Sequence, residues 1–293
     1  MSNYQQMKHY LKQYTRNNEI NILIGSPAYG GMLFSSFANT CLELQKVFIE
    51  CNIKYNFYFL NGESLIPRAR NNIISYFYQQ KEFNYLLFLD TDLQFHPSII
   101  LNLIITDFEV CGVSYPKKMI NWDKVEKHIQ ARNKDDEFQA KISDMNYNPV
   151  CYLQDGKSIM KCIKGYVEVK DIPTGCMLIK RSVVDLLILN YPERKYVNNV
   201  SGYGEYPHYD FFPCGIVNEI YLSEDYYFSK LCRDIGIDLY MNPEGYMIHT
   251  GKMEYHGKLS NSIGNDDLNQ DIQLLKKSKL NKKTSKAEPN GFN

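Results

Sequence analysis

"YLLFLDTDLQF", residues 85–95, decides how the rest of the chain is read. An apolar run ends in two carboxylates, Asp90 and Asp92, one residue apart. A short continuous apolar run reads as a strand buried on both faces. Side chains alternate along a strand, so residues two apart point the same way. Two carboxylates on one side repel unless hydrogen bonds satisfy them or a cation sits between them. Mg²⁺ or Mn²⁺ meets that need, since such ions are held by one or two carboxylates plus substrate phosphates. A bare D-x-D is common, and alone it reads as a solvated turn with Asp92 capping the next helix. The preceding apolar strand favours the metal.

The flanking sequence repeats the pattern. Residues 20–26 ("INILIGS"), 54–62 ("KYNFYFLNG") and 108–116 ("FEVCGVSYP") read as further strands. Helices fall between them. One carries Phe37, Cys41, Leu44, Val47 and Phe48 at helical spacing; a second, "IPRARNNIISYFYQQ", has Pro67 suited to its first turn; "HPSIILNLIIT" is a third. This alternation up to Lys118 predicts an α/β fold, a Rossmann-like, mostly parallel sheet flanked by helices. Ligands bind beyond the carboxyl ends of such strands. Polar clusters stand there at residues 26–29, 61–63, 90–92 and 115–118.

Residues 119–164 are charged and Asn-rich, and read as an insert or mobile loop. "YVEVKDIPTGCMLIKRSVVDLLIL" returns to strand, turn, strand and helix, giving a mixed C-terminal half. "LSEDYYFSKLCRDIG" reads as an amphipathic helix with Ser223 as its N-cap, and "IDLYMNPEGYMIHTG" as a late strand pair ending near His249. The expected organisation is a polar helix at 1–18, one domain at 19–260, and a Lys-rich, partly disordered tail at 261–293.

Composition narrows the class. The chain has 293 residues, 44% of them hydrophobic, enough for a substantial core. Lys+Arg and Asp+Glu both number 33, which gives no general pull towards nucleic acid or anionic membrane. No stretch reaches the ~18 apolar residues of a membrane helix, and the N-terminus has no apolar signal core. None of the eight cysteines forms a C-x-x-C, which predicts reduced thiols in a cytoplasmic protein.

In order along the chain, the motifs bring a known class into view. "LLFLDTDLQF" resembles the D-x-D segment of metal-dependent nucleotide-sugar glycosyltransferases of the GT-A fold. "GESLIPRARNNIISYF", "VCGVSYPKK", "IPTGCMLIKRSVV", "SEDYYFSKLCRDIG" and "IHTG" are similar to segments of a GT-A group found in phages and giant viruses. The resemblance covers residues 20–257 and leaves 119–164 unmatched.

The resemblance implies transfer of a sugar from a nucleotide-diphosphate donor, a UDP-sugar by default, to a hydroxyl acceptor with Mn²⁺ or Mg²⁺. It implies a place in host cytoplasm or virion. Asp92 would bind the ion directly. Asp90 would contact the ribose or sugar, or bind the ion indirectly, with Thr91 beside it. His249 would complete the metal site, with His256 as second candidate. The loop carrying Ser26, Ala28 and Tyr29 would lie by the base, where Tyr29 stacks. Arg68, Arg70 and Asn71 open a helix, whose N-terminus suits an anion. Arginines two apart on a helix diverge, so one faces the site, and Arg70 and Asn71 rank above Arg68. Lys117 and Lys118 would balance diphosphate charge.

Asp225 would be the general base, with Glu224 binding the acceptor and the anomeric centre inverting. Acids are also favoured in any first helical turn, so this pair has a structural reading as well. Residues 174–176 would shape the sugar or acceptor side. The Tyr-rich stretch 203–212 favours a glycan or glycoprotein acceptor over modified DNA. Two other classes stay open: a nucleotidyltransferase-type metal enzyme, against which "GSPAYGG" lacks a P-loop lysine, and a non-catalytic sugar- or protein-binding module.

Overall fold

The computed structural model describes residues 2–131, 138–200 and 202–263. The tail expected at 261–293 lies outside the described residues from position 264 onward.

The short apolar runs assemble into one mixed sheet. Its order is Cys162–Ile163, Tyr166–Asp171, Leu239–Asn242, Val110–Val113, Cys176–Lys180, Tyr85–Leu89, Asn21–Ala28, Lys54–Asn61. Asn148–Pro149 pairs with Tyr166–Asp171 off this path. Asn21–Ala28 runs parallel to both Lys54–Asn61 and Tyr85–Leu89, and Val110–Val113 runs parallel to Leu239–Asn242. Cys176–Lys180, however, enters antiparallel between Tyr85–Leu89 and Val110–Val113. The expected mostly parallel sheet is therefore corrected to a mixed one. Gly112 is part of the physical reason. It pairs with Met177, and a Cβ there would stand 2.5 Å from the Cys176 carbonyl oxygen. The missing side chain lets the returning strand approach.

Both faces of the sheet are covered, as its apolar strands require. Leu86 and Phe88 enter one core cluster, Leu87 and Leu89 the other. Helices Ile66–Gln79, Arg181–Asn190 and Glu224–Asp234 fill the first, with Phe77, Leu187 and Phe228. Helices Ser35–Glu50 and Ser98–Thr106 fill the second, joined by Leu11 of helix Asn3–Tyr14. None of the eight cysteines, all among the described residues, forms a disulfide, and six are buried. Among the described residues, no helix is long and apolar enough to cross a membrane.

Three expectations change. The strand read at 108–116 splits into Val110–Val113 in the sheet and Pro116–Ile120, which pairs with Ser143–Met145. The late strand pair also separates. Leu239–Asn242 joins the large sheet, while Met247–Thr250 sits between Leu93–Phe95 and Glu254–Gly257 in a small one. The region read as a loop at 119–164 contains helix Trp122–Gln130, capped by Asn121, and the hairpin Cys151–Gln154 with Lys157–Met160. Trp122 and Ile129 of that helix stay exposed among charged neighbours, so no buried stripe marks it.

Candidate active site

Strand Tyr85–Leu89 ends before the two acids. Asp90, Thr91 and Asp92 form a turn, closed by the Leu93 N–H donating to the Asp90 carbonyl at 3.3 Å. Strand alternation therefore does not govern the pair, which turns to different partners. Asp90 Oδ1 accepts from Arg70 Nη2 at 2.8 Å. Asp92 Oδ2 accepts from Lys118 Nζ at 2.5 Å, and its Oδ1 lies 3.4 Å from His249 Nε2.

The small sheet brings His249 to Asp92. His249 stands opposite Leu93, and the Thr250 N–H donates to the Asp92 carbonyl at 2.8 Å. His249 Nδ1 lies 2.8 Å from the Pro116 carbonyl oxygen. A carbonyl only accepts, so Nδ1 carries the hydrogen, and a neutral ring turns its Nε2 lone pair towards Asp92. Asp92 Oδ1 is buried with no hydrogen-bond partner. Two acceptors thus face each other, an arrangement that a cation or a proton between them would relieve. Burial pushes the Asp92 carboxyl up, but His249 in its protonated form and Lys118 together hold it below the ordinary Asp value.

This oxygen and nitrogen pair fits Mn²⁺ or Mg²⁺ as two protein ligands. Among the described residues, no group of three or more His, Cys, Asp and Glu side chains is arranged to hold a metal ion. Any ion here would draw its other ligands from substrate and water. His256 takes different partners, the Tyr246 hydroxyl at 3.0 Å and Glu254 at 3.5 Å.

Arg70 organises the other half of the site. It is 3% exposed, lies over the Phe88 ring at 5.4 Å, and places Nε 4.0 Å from Glu224 Oε1. Its Nε and Nη1 have no hydrogen-bond partner. Arg68 points elsewhere and grips Glu63 with two bonds, at 2.6 and 2.9 Å. Asn71, expected at the donor, is engaged within the fold. Its Oδ1 accepts from the Phe211 and Phe212 N–H groups at 3.0 and 2.9 Å, and its Nδ2 donates to Asp210 at 2.7 Å.

Glu224 and Asp225 open helix Glu224–Asp234, with Glu224 Oε1 4.0 Å from Arg70 Nε. Burial pushes both carboxyls above their ordinary values; for Glu224 the neighbouring Asp225 charge adds to it, while Arg70 opposes. Ser223 sits at the N-cap position, but its hydroxyl bonds to Asp225 and not to a helix N–H.

Tyr115 is the residue that sequence reasoning left without a role. Its hydroxyl accepts from the Gly175 N–H at 3.2 Å, and its ring meets His249 edge-on at 5.1 Å. Burial and then the Asp90 charge hold its hydroxyl well above the ordinary value. The Gly175 carbonyl accepts from the Asp90 N–H at 2.9 Å, and a Cβ on Gly175 would lie 2.6 Å from Tyr115. Residues 174–176 thus hold Asp90 and Tyr115 in place. The only sequence signal was a tyrosine in a polar cluster at a strand end.

The remaining expected residues scatter. Ser26 and Ala28 bury their side chains in the first strand, and Tyr29 is 66% exposed. The Thr91 carbonyl accepts from the Phe34 N–H at 3.3 Å. Lys117 is exposed, and Lys118 is the lysine that reaches Asp92. In the Tyr-rich stretch expected to favour a glycan acceptor, Tyr209, Phe211 and Phe212 are buried in the core and have no ring free for a sugar. A cavity of about 590 Å³ borders Pro67, Arg68, Arg194, Tyr196 and Asp210, and none of Asp90, Asp92, His249 or Glu224 lines it.

No protein-family model and no curated protein matches the sequence. Among solved structures, A197 from STIV is similar at 12% identity, over 83% of this chain and 92% of that one, with a TM-score of 0.45. A likeness of that extent carries no argument about function.

Proposed function

We propose that the protein is a Mn²⁺- or Mg²⁺-dependent glycosyltransferase of the GT-A type. It would move a sugar from a nucleotide-diphosphate donor, a UDP-sugar first, to a hydroxyl of a glycan or glycoprotein. One observation carries the reading. The buried, unpartnered Asp92 Oδ1 faces His249 Nε2 at 3.4 Å, while the Pro116 carbonyl fixes the ring's other nitrogen. The motif resemblance supports it, because Asp92, Glu224, Asp225 and His249 all fall in the resembling segments.

In this reading Asp92 and His249 hold the ion. When bound, it neutralises charge on the leaving diphosphate. Asp90, anchored by Arg70, orients the ribose or sugar. Asp225 takes the proton of the acceptor hydroxyl, and its raised pKa makes it a stronger base than an ordinary Asp. Glu224 positions the acceptor. Arg70, in reach of both Asp90 and Glu224, ties the two halves together. Attack from the Asp225 side in line with the leaving group inverts the anomeric centre.

A non-catalytic binding module is the second reading. It is favoured by the fact that Asp90 and Asp92 each already hold a protein cation, Arg70 and Lys118. Product analysis separates them. Incubation with UDP-, GDP- and dTDP-sugars and Mn²⁺ should release one nucleoside diphosphate, and Asp92→Asn should abolish the release. Released pyrophosphate would indicate nucleotidyl transfer, and no turnover across the panel would count for the binding module.

A further inference from the structure

The two acids of the D-x-D turn carry counter-ions of opposite character. The partner of Asp90 is fixed: Arg70 is 3% exposed, planar, and packed over Phe88. The partner of Asp92 is removable: the Lys118 side chain is 38% exposed, on a flexible four-carbon stem. That stem runs along Gly251, where a Cβ would stand 3.1 Å from Lys118 Cδ. Gly251 lies two residues beyond His249, so the lysine passes directly alongside the strand end that carries the histidine. Lys118 and Pro116, whose carbonyl orients His249, belong to the same strand, Pro116–Ile120.

We infer that Lys118 is a built-in counter-cation of Asp92 that competes with the divalent ion for the site; this rests on the metal reading above. With no ion bound, its ammonium on Oδ2 at 2.5 Å keeps a half-buried carboxylate paired. An ion placed on Oδ1 and the His249 nitrogen meets that positive charge on the same carboxylate, and like charges at such range repel. Ion loading therefore moves the ammonium off Asp92. The same stem then presents it to the nearest unpaired anion, the diphosphate of the nucleotide-sugar. Lys118 thus lowers ion affinity in the empty enzyme and couples ion binding to nucleotide binding. Arg70 cannot act this way, because it has no solvent-facing path away from Asp90.

The test is Mn²⁺ binding to the full-length protein without nucleotide, followed by the electron paramagnetic resonance signal of free Mn²⁺. Wild type, Lys118→Met and Lys118→Arg are compared. Lys118→Met should bind Mn²⁺ at least about tenfold more tightly than wild type, and Lys118→Arg no more tightly than wild type. Thermal melting is the second readout. Metal-free Lys118→Met should melt lower than wild type, with a larger upward shift on adding Mn²⁺. Equal or weaker Mn²⁺ affinity in Lys118→Met would overturn the competition. Absence of Mn²⁺ binding in both wild type and Lys118→Met, persisting when UDP is added, would overturn the metal reading itself and this inference with it.

Discussion

Replacing Asn71 with leucine removes three hydrogen bonds while keeping a side chain of similar size. Two of them satisfy the backbone N–H groups of Phe211 and Phe212, at 3.0 and 2.9 Å, and the third reaches Asp210 at 2.7 Å. Asn71 is 4% exposed and both phenylalanines are fully buried, so water has no route to replace the lost acceptor. Each buried N–H left unpaired costs about 1–3 kcal/mol. The Asp210 side chain is 43% exposed and can turn to solvent, so that bond adds about 1 kcal/mol or less. The apolar surface that leucine buries offsets part of the loss, which leaves a net destabilisation of about 2–4 kcal/mol. Urea unfolding followed by circular dichroism should show a lower midpoint with an unchanged slope. Asn71→Asp keeps an acceptor for both N–H groups but sets a second carboxylate against Asp210, so it should recover part of the stability. A loss below about 1 kcal/mol in Asn71→Leu, or a loss of nucleotide binding at full stability in Asn71→Asp, would refute the structural role given to this residue.

Three further outcomes follow from the same geometry. Arg70→Met leaves Asp90 and Glu224 facing each other without their shared counter-charge; discounted for the 27% exposure of Asp90, the expected loss is about 2–4 kcal/mol by chemical denaturation, recovered only partly by Arg70→Lys, which lacks the fork. The raised folded pKa of Glu224 means its contribution to stability is full below the ordinary Glu value and is lost as pH rises through the folded one; Glu224→Gln should therefore flatten the fall in melting temperature as pH rises above the ordinary Glu value, and an unchanged profile would contradict the burial argument. Gly175→Ala drives a methyl into Tyr115 at 2.6 Å and should cost about 1–3 kcal/mol, most of it relieved in a double variant with Tyr115→Ala, where additive losses would show that the two residues are not in conflict.

Much of the layout was legible because the strands are short apolar runs. Tyr85–Leu89 splits its side chains between the two core clusters, and continuous burial on both faces is what an uninterrupted "YLLFL" encodes. The antiparallel entry of Cys176–Lys180 was not legible. "GCMLIK" is equally apolar in either direction, and its place beside Gly112 depends on a partner 65 residues earlier, Met177 pairing Gly112. At the site, the D-x-D turn could be found from residue types and its position after an apolar run, and the late histidine through the motif resemblance. Their division of labour could not. The period-2 rule put Asp90 and Asp92 on one side, yet the strand ends at Leu89 and the turn sends one to Arg70 and the other to Lys118. Asn71 read as a ligand residue because it opens a helix in a polar cluster, and only the fold shows that its amide closes a loop at residues 210–212. Tyr115 owes its place to Gly175, sixty positions away in the chain.

In the proposed function, Asp92 and His249 would hold a divalent ion that in turn holds a nucleotide diphosphate. Calorimetric titration of UDP, with and without Mn²⁺, into wild type and Asp92→Asn tests it most directly. UDP should bind wild type only when Mn²⁺ is present and should fail to bind Asp92→Asn. UDP binding that is indifferent to Mn²⁺, or that survives Asp92→Asn unchanged, would contradict it.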